Sequence, residues 1–362
     1  MSTQNEIVNS IIEFIDSDST NEKEFNDLSI QIFAYQYENN IPFRQFAVQQ
    51  GTSPRTAKTW RDIPPVPINA FKSVFLSCCE PSSLGRTFMT SGTTQDGIKG
   101  KSYHPLLDVY DASMKKNFKE RFLGDLDDLE KIKMGILFPD ESSMPNSSLA
   151  HYLSLSIKQF GTHCSRYYLD SHGINFEQLF EDLECAQNTR TAFALLGASF
   201  SIVHLLDKME QENQRFNLPP GSRILDTGGF KGQSREIEQD DFYNQLSTAF
   251  GIPRSCCVNM YGMTELSTQF YDDGNETCPA IKTGPHWIKS RVVDPLTRKD
   301  VPKGKPGVLV HCDLAHFNIV STILTEDAGI EVNDGFILSG RVDGENAKGC
   351  SMAVDEFLRA TK

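Results

Sequence analysis

Apolar positions recur along this chain with two different periods, and the change from one to the other divides it. Across residues 5 to 60 the spacing is helical. Phe25, Leu28, Ile32 and Tyr35 fall three or four residues apart and share one helix face, and Ser19 with Glu22 has the spacing of a capping box. The run Asp62-Ile63-Pro64-Pro65-Val66-Pro67-Ile68-Asn69-Ala70-Phe71-Lys72 breaks that period. Its three prolines hold the residues before them extended, which predicts either a strap from a helical lobe to a sheet or a plain surface linker. From residue 86 onward, short apolar runs alternate with amphipathic stretches. Strands are predicted over 86–89, 132–138, 191–196, 222–226 and 256–260, and helices over 105–122, 148–160, 174–187, 199–213 and 237–250. Strands separated by helices need crossover connections, so the expected class is α/β with a largely parallel sheet and ligands at the carboxyl ends of its strands. Beyond about residue 280 the runs shorten to 288–293, 307–312, 319–324 and 335–338, a β-rich texture. The expected organisation is a helical lobe and strap (1–80), an α/β core (81–280), a β-rich subdomain (281–340) and a short tail (341–362).

Charge narrows the function. The formal net charge of −13 argues against nucleic acid and anionic membranes, both of which favour a basic face. No apolar run approaches a membrane span, and the first residues alternate apolar and acidic, unlike a signal peptide. The nine cysteines show neither a disulfide framework nor C-x-x-C spacing, so reduced thiols and a cytoplasmic location are expected. Cys78, Cys79, Cys256 and Cys257 read as packing residues, and His311-Cys312-Asp313 with His316 matches no standard zinc spacing.

Three polar loops fall at the predicted ligand edge. The first runs Thr90-Ser91-Gly92-Thr93-Thr94-Gln95-Asp96-Gly97-Ile98-Lys99-Gly100-Lys101-Ser102. Its glycines expose backbone N–H groups, its hydroxyls add donors and Lys99 and Lys101 add charge: chemistry suited to a polyphosphate, or simply a solvated turn. A Walker loop is excluded because Gln95 stands five residues before Gly100, where that motif needs glycine. In the second, Gly228 and Gly229 permit close backbone approach and Phe230 offers a cover for a flat heterocycle; a strand-to-helix turn is the plainer reading. The third, Tyr261-Gly262-Met263-Thr264-Glu265, is expected to open a helix capped by Thr264. Thr264 would contact a phosphate and Glu265 would offer an oxygen to Mg²⁺, unless the pair is an ordinary cap.

Thr90-Ser91-Gly92-Thr93-Thr94, Tyr261-Gly262-Met263-Thr264-Glu265, Thr325-Glu326-Asp327 and Gly340-Arg341-Val342-Asp343 occur in one order across about 250 residues. This set resembles the adenylate-forming (ANL) enzymes, which condense a carboxylate with ATP to an acyl-adenylate and release pyrophosphate. The resemblance implies an ANL-type N-terminal domain, with mostly parallel sheets flanked by helices and a small β-rich lobe. It also implies ATP and Mg²⁺. Ser91, Gly92, Thr93 and Thr94 would grip the phosphates, and Tyr261, Gly262 and Met263 would lie near the adenine. Thr264 and Glu265 would sit by phosphate and metal, Asp327 on the ribose and Arg341 at the lobe junction. Gly228, Gly229 and Phe230 look like the lining of the adenine and acyl pockets. Two features depart from typical members: almost nothing follows Arg341, where a lid domain with a catalytic lysine is usual, and Lys99 and Lys101 replace a Pro-Lys-Gly ending.

Both departures are similar to one branch, the LuxE-like acyl-protein synthetases. The likeness includes Ile63-Pro64-Pro65-Val66-Pro67-Ile68 with Phe71-Lys72, and Lys348-Gly349-Cys350-Ser351-Met352-Ala353. In that family an activated fatty acyl group passes to a cysteine near the C-terminus, and Cys350 is the matching position. The residues themselves offer a reason. Ser351 to Ala360 reads as a short helix, and a thiol at a helix start feels the positive end of the dipole, which lowers its pKa. The alternative is a small buried apolar residue pinning the tail. The expected function is ATP-dependent activation of a carboxylic, fatty acid with transfer to Cys350. A reductase or acyl carrier is the expected onward partner. The rivals are an acyl-CoA or carrier-protein ligase of the same superfamily and a non-catalytic scaffold.

Overall fold

The computed structural model describes residues 3–83, 85–90, 97–124, 126, 131–230, 234–333, 335–342 and 344–361. The chain forms two compact units. One comprises Met1–Lys116, Met263–Gln269 and Thr283–Lys362, the other Asn117–Gly262 and Phe270–Lys282. The expected stretches 1–80 and 341–362 fall in the first unit, as does 281–340 from Thr283 onward, and 81–280 is divided between the two.

The second unit is built on a sheet in the order Phe270–Tyr271, Cys257–Tyr261, Arg223–Thr227, Phe193–Ala198, Lys133–Leu137, Arg166–Tyr167. Every pairing is parallel except that of Phe270–Tyr271, which is antiparallel. All residues of Phe193–Ala198 and Arg223–Thr227 are buried, as in a parallel sheet covered on both faces. Helices Ser148–Phe160, Phe176–Thr189, Ser199–Gln211 and Gln239–Phe250 follow the predicted spans closely. Leu183, Leu195, Ile202, Leu205, Phe242 and Leu246 anchor the core.

The first unit differs from the expectation of mostly parallel sheets. Ile288–Val293, Pro306–Asp313, Thr322–Val332 and Gly335–Arg341 pair antiparallel in sequence order, since each is joined to the next by a short connection. The Thr322–Val332 strand runs far past the expected 319–324, because Thr325-Glu326-Asp327 hides its apolar alternation. The proline-rich segment is a strap: Val66–Pro67 pairs parallel with Ile323 and Leu324, and Ile68 N–H donates to Leu324 O (2.9 Å). The prediction of helical residues 5–60 resolves into Gln4–Asp16, Glu22–Asn39 and Ile41–Gln49. The capping box is Thr3 with Glu6, not Ser19 with Glu22: Asn21 caps the second helix, and the Ser19 hydroxyl donates to Glu24 instead (2.6 Å). The helix expected from Pro105 begins at Asp108. No helix among the described residues is long and apolar enough to cross a membrane.

Candidate active site

The hairpin Arg86–Met89/Lys101–His104 sets the first loop. Its mouth is closed by two hydrogen bonds: Thr90 N–H donates to Gly100 O (3.0 Å), and Gly100 N–H donates to Thr90 Oγ1 (2.9 Å). Ser91, Gly92, Thr93 and Thr94 lie outside the described residues. Lys99 and Lys101 are exposed, immediately either side of Gly100. A Cβ on Gly100 would lie 3.1 Å from Glu265 Oε1, so the loop mouth rests against that carboxylate and only glycine fits without displacement.

Glu265 is 4% exposed, and burial pushes its carboxyl up to about 7. Arg341 and Lys72 favour its charged form, while the neighbouring Asp327 opposes it. Asp327 and Arg341 are opposed across the Thr322–Val332/Gly335–Arg341 ladder, with Arg341 Nε 3.7 Å from Asp327 Oδ1. The Arg341 guanidinium also reaches Glu326 Oε2 (3.4 Å), whose other oxygen accepts from the Asn69 amide. Arg341, Lys72 and Asp327 therefore all act electrostatically on Glu265, and Arg341 and Asp327 also on each other.

The 263–269 segment is not the expected helix, and Thr264 caps none. Asp313 takes the donors a helix would have used. Its carboxylate accepts from Ser267 N–H (2.8 Å), Thr268 N–H (2.9 Å), Thr268 Oγ1 (2.7 Å) and Ala315 N–H (3.0 Å). That anchorage holds the segment in a turn, with Leu266 N–H donating to Met263 O (3.2 Å).

In the second unit, Gly228 and Tyr261 follow residues paired in register, Thr227 and Met260, at the carboxyl ends of adjacent strands. Gly228 sits at φ +82°, which a side chain would strain. The Phe230 ring packs edge-on against Phe242 (5.3 Å), and Tyr261 lies against Phe270 (5.8 Å). Gly229 and Gly262 are exposed. The Asp226 carboxylate on the Arg223–Thr227 strand is buried. Asp226 accepts from Ser199 Oγ (2.6 Å), Tyr243 OH (2.9 Å) and Asn259 Nδ2 (2.8 Å), and Asn259 Oδ1 accepts from Lys282 Nζ (2.5 Å).

Cys350 lies in the helix Gly344–Ala360, which begins six residues before the cysteine and not at it. The thiol therefore lies past the first turn of its helix, away from the positive end of the dipole. The thiol is 4% exposed among Val293, Val308, Val310, Leu324 and Ala353, and its Sγ donates weakly to Thr325 O (3.9 Å). Burial, with Glu326 adding to it, pushes the thiol up to about 11. Gly349 allows this packing, since a Cβ there would meet Pro295 O at 2.5 Å.

The sequence profile described as "Acyl-protein synthetase, LuxE" matches residues 2–359. The chain belongs to the LuxE acyl-protein synthetase family. Two relatives named long-chain-fatty-acid–luciferin-component ligase accompany that match. The one from Vibrio harveyi is 25% identical over 91% of this chain and 86% of its own length. The one from Aliivibrio fischeri is 25% identical over 93% and 90%. Among solved structures, 2-hydroxyisobutyryl-CoA ligase with 2-HIB-AMP and CoA superposes with TM-score 0.62 at 15% identity, over 90% of this chain and 79% of that one. ATP-bound MatB from Rhodopseudomonas palustris gives 0.52 at 16%, covering 71% of this chain and about half (48%) of that chain. These likenesses show that the chain shares a mixed α/β fold with these solved structures. Within this LuxE chain, three polar residues around the site escaped the sequence reading: Asn69, Lys72 and Glu326. Asn69 and Lys72 lie in the proline-rich motif already noted, and its parallel pairing with Thr322–Val332 is what brings them in.

Proposed function

We propose that this LuxE-family ligase activates a long-chain fatty acid with ATP and receives the acyl group on Cys350. The meeting of Glu265, Asp327, Arg341 and Lys72 beside the mouth of the Thr90–Gly100 loop carries this reading. Attack of a carboxylate on the α-phosphorus joins two anions, so cations and N–H donors are needed and a general base is not. Lys72 and Arg341 supply positive charge, and Asp327 offers its carboxylate to the ribose hydroxyls. Lys99 and Lys101 are assigned to the phosphates, together with Ser91, Gly92, Thr93 and Thr94. Gly228, Gly229, Phe230, Tyr261, Gly262 and Met263 are assigned to the adenine and acyl groups, and Thr264 to a phosphate.

A divalent cation fits this donor set. A buried carboxylate that burial pushes up to about 7, with a second carboxylate acting on it, offers hard oxygens whose charge a cation would stabilise. Glu265 would hold Mg²⁺, which when bound neutralises triphosphate charge. In the second half-reaction the Cys350 thiol passes its proton to water and the sulfur attacks the acyl carbon. The acyl–phosphate C–O bond breaks, and AMP leaves as the thioester forms. A reductase or an acyl carrier is the onward acceptor.

Carboxylate-dependent ATP–pyrophosphate exchange tests the first half, and its absence across fatty acids of graded length overturns it. A hydroxylamine-labile acyl label tests the second: Cys350→Ser is expected to keep exchange and lose the label. A Cys350→Ser protein that retains it excludes Cys350.

A further inference from the structure

The residues His311-Cys312-Asp313 and His316, set aside as a poor zinc pattern, have another use. His316 is 1% exposed, in the short turn Leu314–His316 that follows Asp313. Its Nδ1 is 2.9 Å from Ser267 Oγ, two residues beyond Glu265. Its Nε2 is 3.5 Å from Ser102 Oγ, on the strand that carries the other side of the loop mouth. Ser102 Oγ is in turn 3.1 Å from His104 Nε2. Ser102, His104 and Ser267 are all buried.

A serine hydroxyl has one proton and two lone pairs, so Ser102 can donate to only one of the two imidazoles. Burial, with His104 beside it, favours the neutral form of His316, so one of its ring nitrogens donates and the other accepts, and both are bonded. Few side chains of this size can bridge two hydroxyls on opposite sides while buried. From these contacts we infer that His316 is a positioning residue, a strut that sets the spacing between the Thr90–Gly100 loop mouth and Glu265, acting through Ser102 and Ser267. The inference rests on the reading of that place as the triphosphate cradle. A strut is needed there because Gly100 and Glu265 approach so closely that a small relative shift of their supports changes the gap available to a phosphate.

The test combines hydrogen exchange by mass spectrometry with ATP affinity by calorimetry, in the absence of any acid. In His316→Leu, the segments 86–104 and 263–269 are expected to lose protection together, and the Kd for ATP to rise about tenfold or more. His316→Gln, which keeps a donor and an acceptor, is expected to recover most of that loss. Loss of protection confined to residues 313–319, or an unchanged Kd in folded His316→Leu, overturns the inference. Should His316→Leu not fold, Ser102→Ala and Ser267→Ala replace it. Each is expected to weaken ATP binding, with the double variant little worse than the worse single, whereas losses that multiply overturn the strut. Wild-type protein that binds ATP but shows no exchange sinks the proposed activity alone, because the affinity comparison still decides the strut. Wild-type protein that does not bind ATP overturns both.

Discussion

Glu265 shows how burial and function pull against each other at one side chain. Its carboxyl is held near 7 when folded, above the ordinary value of 4.5, so the folded state binds more protons across that interval. Its contribution to stability is then fully present below about 4.5 and is lost as pH rises through about 7. Glu265→Gln is expected to raise the unfolding free energy at pH 8 by on the order of 1–3 kcal/mol while leaving it unchanged near pH 4. The same substitution is expected to cut pyrophosphate exchange by about a hundredfold or more. Denaturant titrations at the two pH values, with the exchange assay, check both. A variant less stable at pH 8 would contradict the account. Glu265 was legible in the sequence because its motif is local, five consecutive residues after a strand. The state of Cys350 was not: its burial is produced by Val293, Val308, Val310 and Leu324, none closer than 26 residues in sequence.

Among the elements, the strap has the largest effect for its length. Two paired residues, Val66 and Pro67, dock it on the Thr322–Val332 strand and place Asn69 and Lys72 beside the acidic residues of the site. Lys72→Met is expected to lower kcat/KM for ATP in the exchange reaction by about 10–100-fold with little change in melting temperature, since the charge acts on the site and not on the core. An equal loss in the apolar-core marker, the midpoint of urea unfolding, would recast Lys72 as structural. The prolines announced an extended segment but left a strap and a surface linker both open, and the pairing with Ile323 and Leu324 decides for the strap. What a single sequence did not contain was its partner, because a two-residue parallel pairing leaves no periodicity on either side. The same reason explains the Thr264 turn: Ser267 and Thr268 suit a first helical turn locally, and only Asp313, some 45 residues on, overrides that preference.

For the whole molecule, the 263–269 segment leaves the second unit's sequence and belongs to the first, so one buried carboxylate governs more than its own neighbourhood. Asp313 accepts four donors without an adjacent cation bonded to it among the described contacts, and burial pushes its carboxyl up to about 6. Asp313→Ala strands those donors, and a loss of about 2–4 kcal/mol of stability is expected, together with loss of exchange activity. Thermal unfolding and pyrophosphate exchange read both; a variant with normal activity would show that the segment keeps its place unaided. The alternation of strands and helices made four of the six strands in the second unit's sheet readable to within two residues, whereas Arg166–Tyr167 and Phe270–Tyr271 are too short to show a pattern. The first unit was harder, because the strap that pairs with its antiparallel sheet lies far from it in sequence, Val66 beside Ile323.

That last arrangement has a consequence for synthesis. Gln36 reaches the carbonyl of Phe317, Asn40 that of Ile319, and Val66 sits beside Ile323, so these residues leave a ribosome with those partners more than 250 codons behind them. The second unit, encoded in between, has its own core and can close while the opening helices still wait, exposed, for the last third of the chain to be translated.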